Sequence, residues 1–407
     1  MLQKIVPVVT GKNGYEDYLM AVDKVDGRLL GVYEQWISYK RVKLTAPQKG
    51  EDPDAEVPEM PADVTPDMSI LAVRKAENER FGFAFDQVIA GNGKRVWDPR
   101  ETQSFNTLFP EFAKFKVLAR IGTNRAHVAF SEGRTLGAVK DLLEVIDFSR
   151  NMSQKTLISM LVGIAVQAIA LAEFNEHLGQ LPLGDCQYIA KQAKSLLEHP
   201  LSTGSVFQGE ATLSLSSLDD ILKEPGAFLT EDEDKSYVKA IQNLSSADRD
   251  RLKAQLINSV QLRLQATQAL LDGPEDKWLL TMAGDPAPSV GDGSVGNLCL
   301  VLANSLAGSD SKRGYVTAMA KGRIQLRLLY LHAKVLEYHW KTGVWPTTLA
   351  QAAGAEFARD PFAQAPFHYE VNGNTYRLYS TGITGAGPIE LKYVRPHTNV
   401  DENPDKP

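Results

Sequence analysis

At 407 residues with a formal net charge of −6, the chain exceeds one comfortable core and lacks the basic excess of a general nucleic-acid binder. Hydrophobic content of 43% and charged content of 23% are ordinary for a soluble globular protein. The densest basic run, Lys312 to Arg323, holds four basic residues in twelve and reads as an exposed helix face. Cys186 and Cys299 belong to no C-x-x-C pair, so a structural zinc site is not expected; one disulfide or two buried thiols would both fit, the thiols being the stronger reading.

The N-terminal "MLQKIVPVVTGKNG" lacks the form of a secretory signal, because its apolar run is short and Pro7 breaks it. Asn13 to Gly27 predicts a short helix with a glycine stop, followed by "GVYEQWISYKRVKL" of mixed type. Thr45 to Met68, with five prolines and many acids, predicts an exposed loop, since proline removes backbone donors and blocks helix.

From Phe105 the period becomes helical. Phe112, Phe115, Leu118, Ala119 and Ile121 mark one helix, ended by Gly133; Leu136, Val139, Leu142, Leu143 and Ile146 mark the next. Ala129, Gly133 and Ala138 stand where small residues sit in a tetratricopeptide-type hairpin, but a single copy predicts one such hairpin and no array. Leu157 to Ala172 is an uncharged run of sixteen residues, short of the roughly 20 that span a bilayer, and predicts a central buried helix. Further helices are expected before Pro200, over "TGSVFQGEATLSLSSLDDILKEPG", and after the capping boxes Thr230/Glu233 and Ser245/Asp248. The last ends at Gly273. A long helix follows, with Ile324, Leu328, Leu331, Val335 and Tyr338 on one stripe and Gly343 as its stop.

Chemical signals are sparse. "GDGSVG", Gly291 to Gly296, matches G-x-G-x-x-G, but no strand precedes it, so a flexible loop is expected in place of a nucleotide site. His332 and His339 are seven apart, about 10 Å along a helix, too far to chelate one ion, and Glu337 faces away from His339. Glu176 and His177 lie together in "FNEHLG" without an H-E-x-x-H, and His127, His199, His368 and His397 are scattered. There is no G-x-S-x-G. No cofactor or metal site is expected.

After the long helix come "GVWPTTL", a turn at "RDPF", a strand "PFHYEV", a hairpin turn at Asn372–Gly373 and a return strand "TYRLYSTG". Tyr376, Leu378 and Ser380 alternate with Arg377 and Tyr379, so one face can cover the helix; Asp360 reads as a turn residue before Pro361.

This ordered set, over about Arg323 to Tyr393, resembles the globular part of the major pseudopilin of type II secretion, with its long helix, "G-x-(Y/W/L)-P" turn, "DPWG" or "DPF" turn and "Y…Y-x-L-x-S-x-G" hairpin. That family's cleavage motif and membrane helix do not precede the long helix here. After "YSTG", "ITGAGPIE" offers only Glu390 where the family carries calcium-binding acids. The stretch from Leu118 to Gly179 together with the C-terminal pattern is similar to a group of uncharacterised bacterial envelope proteins that usually begin with one membrane helix. The resemblance implies a periplasmic or extracytoplasmic location, with membrane contact only through a lost or uncalled N-terminal anchor. It implies no activity.

The expected fold is therefore mainly α: a helical scaffold with one tetratricopeptide-like hairpin, plus a small C-terminal helix-and-antiparallel-hairpin, pseudopilin-like module. The expected divisions are 1–104 (helix, mixed segment, acidic loop), 105–315 (helical domain), 316–397 (the module, packed on the helical domain) and 398–407 (disordered tail). The expected function is non-catalytic: interaction or assembly with a protein partner in the envelope. The alternative is an extracytoplasmic hydrolase with a site between the helical domain and the C-terminal hairpin, for which Asp360, His368 and Glu370 are the candidate catalytic residues.

Overall fold

The computed structural model describes residues 11–49, 57–100, 109–201, 203–227, 235–280, 295, 298–299, 302, 309–383 and 387–393. The Thr230/Glu233 capping box, most of the "GDGSVG" loop and the tail 398–407 lie outside them.

Helix α1 (Gly14–Asp23) starts at Asn13, whose Oδ1 accepts from the backbone N–H of Tyr15 and of Trp97 at 3.0 and 3.1 Å, while its Nδ2 donates to the Trp97 carbonyl at 2.7 Å. One side chain thus caps a helix and holds the segment after α3 beside it. The segment read as mixed is part of one helix, α2 (Gly27–Lys49). Leu30, Tyr33, Trp36 and Ile37 fall at helical spacing and are buried. Helix α3 (Ile70–Asn92) has no counterpart among the expected elements. It begins at Ser69, whose Oγ accepts from Ala72 N at 3.1 Å, and buries Val73, Phe81, Ala84, Phe85 and Val88.

Helices α4 (Pro110–Ser131) and α5 (Thr135–Met152) form the expected hairpin, with Gly133 at φ 75° between them and Ala129 and Ala138 buried where the helices meet. Leu136 departs from the expected stripe and is exposed, while Val139, Leu142, Leu143 and Ile146 are buried. Helix α6 (Leu157–His177) is opened by a capping box of Thr156 and Ser159. It packs on α4 and α5. With its following turn it spans Leu157–Gln180, 24 residues, long and apolar enough to cross a membrane by length and composition; 44% of its apolar window is buried within the fold.

Helix α7 (Leu183–Glu198) follows. Its terminal carbonyls, orphaned by the end of the helix, accept from two arginines: Arg150 reaches Leu196 and His199, and Arg323 reaches Leu197 at 2.8 Å. Arg323 is thus a covered anchor, not part of a solvated basic face. Helices α8 (Gly204–Lys223), α9 (Lys235–Gln242) and α10 (Ser246–Leu271) share a satellite core of Leu218, Ile221, Leu222, Ile241, Leu252 and Leu256, which also holds Cys299. Ser245 caps α10 as expected, accepting from Asp248 N. The lower part of α10, through Val260, Leu264 and Leu271, joins the main core. Cys186 sits in that main core, so the two cysteines are buried free thiols in separate clusters.

The long helix α11 (Ser309–Thr342) lies against α6 and α7. Two short helices, α12 (Leu349–Ala353) and α13 (Ala355–Ala358), lead into the pair β1 (Arg359–Asp360) and β2 (Ala365–Pro366), then an antiparallel sheet of β3 (His368–Asn372), β4 (Thr375–Ser380) and β5 (Ile389–Glu390). Asn372 pairs with Thr375, so the central turn residues are Gly373 and Asn374, one position beyond the expected pair. Gly373 alone of these has positive φ, 58°, as a turn with glycine first requires. Tyr376, Leu378 and Ser380 face inward. The sheet and α11 belong to the same hydrophobic core as α1 to α7.

Candidate functional site

The three residues proposed from sequence do not converge. Asp360 is buried; its carboxylate accepts from Phe362 N at 3.0 Å and from Ser380 Oγ at 2.5 Å, which fixes the turn after β1. His368 and Glu370 stand opposite Tyr379 and Arg377 in the β3–β4 register, on the exposed face. His368 stacks on Tyr379 at 4.6 Å, and Glu370 lies 3.5 Å from the Tyr379 hydroxyl. Ser380, the partner of Asp360, points to the other side of β4, so the sheet separates Asp360 from the other two. A depression between the helices and this module is lined by Glu275, Asp276, Arg327, Glu356, Arg359 and Pro361. Its Glu275 is engaged by Arg323 at 2.5 Å and Arg327 at 2.9 Å.

The histidines of α11 lie against aromatic rings. His332 is fully buried against Tyr376, and His339 stacks on Trp345 at 3.8 Å. Glu337 is held by Lys334 and Lys341, each at 2.6 Å.

A different constellation forms where α4 crosses the last turn of α6. Glu173 and His177 are four apart on α6 and share a face; Glu176 is adjacent to it at three apart; His127 enters from α4. Glu173 Oε1 lies 2.8 Å from His127 Nδ1 and 2.8 Å from His177 Nε2, and the two imidazole nitrogens are 3.3 Å apart. With Glu176 included, one donor atom from each of the four residues lies within 4.8 Å of all the others. His127 and His177 are buried, the Glu173 side chain is 11% exposed, and Glu176 is exposed at the rim. Burial alone would push the Glu173 carboxyl up; hydrogen bonds with His127 and His177 outweigh it and hold that carboxyl well below the usual carboxylate range. Phe130 stacks on the His177 ring at 4.2 Å. Among the described residues nothing hydrogen-bonds His177 Nδ1, although it is buried.

Glu176 and His177 are neighbours in the sequence, but the cluster they join is not legible there. The local signal is E-x-x-E-H at the end of a helix, but the second histidine lies 50 residues away, and only the packing of α4 on α6 joins them.

Elsewhere, Arg100 is buried among Asp98, Glu111 and Tyr15, within 2.5, 2.7 and 3.0 Å, a satisfied ionic network that closes the N-terminal helices. Glu77 on α3 is a buried carboxyl whose desolvation, partly opposed by Arg74, raises its pKa to about 8.

Comparison of the chain with protein families, with characterised proteins and with solved structures found no match.

Proposed function

We propose that the chain is a non-catalytic scaffold of the cell envelope that acts by protein contact, docking a helix of a partner protein along the outward face of α6. The observation that carries this reading is an uncovered apolar stripe. Ile158, Leu161, Ala165, Ala168 and Ala172 recur every three or four residues, and Ile158 and Leu161 are 47% and 39% exposed. No charged residue interrupts the run from Leu157 to Ala172. Contiguous apolar surface on a folded chain marks an interaction site more often than scattered apolar residues do. The stripe is about 21 Å long at the helical rise per residue, the length of some four turns. Its small residues allow a second helix axis to approach closely, which favours a helix over a sheet edge as the occupant. The envelope compartment and the assembly role draw on the pseudopilin-like order of elements over 323–393.

The test is site-specific photo-crosslinking in the native cell, with the crosslinker at Leu161 and a control at the exposed Lys191. A discrete adduct from position 161, absent from 191 and lost in an Ile158→Asp variant, supports the reading. No adduct from an abundant, folded chain overturns it. So does stoichiometric binding of the purified protein to phospholipid vesicles through the same stripe, which would make it a bilayer-facing surface. Recovery of the chain in the cytosolic fraction overturns the compartment.

A further inference from the structure

We propose that His127, Glu173, Glu176 and His177 form a binding site for a divalent first-row transition ion that prefers nitrogen and oxygen donors, with Zn2+ as the probe. The proposal is independent of the docking face.

Three donor atoms from two helices already converge. Their separations of 2.8, 2.8 and 3.3 Å describe a triangle with an ion position about 2 Å from each corner, the usual bond length for imidazole and carboxylate ligands. Two imidazoles with carboxylates are the donor set of zinc and its first-row neighbours; calcium and magnesium take oxygen ligands.

The facing nitrogens of His127 and His177 crowd one carboxylate oxygen. An ion would take the converging lone pairs and turn the crowding into bonds.

The site also has an entrance. Glu176 is exposed at the rim and forms no ion pair among the described residues, so its carboxylate is available as the fourth ligand or beside a bound water. His177 is the last residue of α6, where the partial negative charge of the helix end favours a cation. A bound ion would clamp the end of α6 to α4.

The experiment uses the full chain, stripped with chelator, then titrated with Zn2+ by calorimetry and with Co2+ by visible absorption. One equivalent of Zn2+ is expected, with a Co2+ ligand-field band that differs from the aqueous ion. Glu176→Gln, a surface change that leaves the core intact, is expected to weaken Zn2+ binding roughly tenfold, and the His127→Gln/His177→Gln double variant at least about 100-fold. No Zn2+ uptake by the wild-type chain at 100 times the protein concentration, or variants that bind as the wild type does, would overturn the proposal. Should the double variant fail to fold by circular dichroism, the Glu176→Gln titration and the wild-type Co2+ spectrum decide it.

Discussion

The Nδ1 of His332 lies 2.8 Å from the Tyr376 hydroxyl oxygen, deep between the long helix α11 and the return strand β4. Both side chains are buried, and Tyr376 also packs on Trp345 and Tyr393 at 5.0 and 4.9 Å. Desolvation lowers the His332 pKa to about 3, with the Leu391 backbone working the other way. The imidazole is therefore neutral at pH 7. Tyr376→Phe leaves it without that partner and is expected to cost about 1–3 kcal/mol in urea denaturation at pH 7.

The same pair sets an acid limb. The folded pKa of His332 lies below its unfolded value of about 6.5, so its contribution is complete above pH 6.5 and is lost as pH falls toward 3. A His332→Gln variant should show a flatter loss of stability between pH 6 and 4, by up to about 1.4 kcal/mol per pH unit. Parallel slopes in wild type and variant would rule out this origin of the acid limb.

Glu77 predicts the opposite dependence. Its folded pKa of about 8 lies above the unfolded value, so the buried neutral acid stabilises below about pH 4.5, and that stability is lost as pH rises to 8. Glu77→Gln keeps the neutral form at every pH. The variant should gain on the wild type steadily from pH 5 to 8 in chemical denaturation, by a total on the order of 3 kcal/mol. A difference independent of pH would show that Glu77 ionises freely in the folded chain.

Much of the fold is legible in sequence because its helices bury regular stripes. Phe112, Phe115, Leu118, Ala119 and Ile121 of α4 are all buried, as are Ile324, Leu328, Leu331 and Val335 of α11. The period-2 pattern of Tyr376, Leu378 and Ser380 is likewise met. Helix α2 was obscured because Val32, Tyr33, Trp36 and Ile37 prefer strands when read one by one, and tertiary burial overrides that preference. The His127/Glu173/Glu176/His177 cluster was not legible: E-x-x-E-H marks one helix face, and nothing in a single sequence says that His127 packs against it. Arg323 misled for a related reason, since a basic residue reads as solvated until the open carbonyls of α7 are placed beside it.

Gly163 on α6 packs tightly against the C-terminal end of α5. A Cβ built there would sit 1.8 Å from Ser153 Oγ and 2.5 Å from the Ser149 carbonyl oxygen. In an isolated helix, alanine would be favoured over glycine by about 1 kcal/mol. Here the backbone oxygen cannot yield, and Ser153 Oγ is already committed to the Ser149 carbonyl at 2.5 Å. Gly163→Ala is therefore expected to destabilise by about 2 kcal/mol or more despite its helix propensity. Thermal unfolding measures the sign directly, and a raised midpoint would show that the two helices can separate freely at this point.

Asp360 separates a structural from a chemical reading of the C-terminal module. Its two oxygens tie Phe362 N and Ser380 Oγ, and Ser380 Oγ in turn accepts from Gly382 N at 3.1 Å, so one carboxylate holds both ends of the β1-to-β4 segment. Removing it strands buried donors, and Asp360→Ala should cost about 3 kcal/mol, with Asp360→Asn recovering part of the loss because its carbonyl still accepts one bond. His368→Ala and Glu370→Ala, on the exposed face, should stay within about 0.5 kcal/mol of the wild type. Fluorescence of Trp345, which packs against Tyr376 and Tyr393, reports the unfolding of this region. Equal stability of all four variants would mean that Asp360 is dispensable to the fold. Its burial would then need another reason, and a chemical role for the residue would again have to be considered.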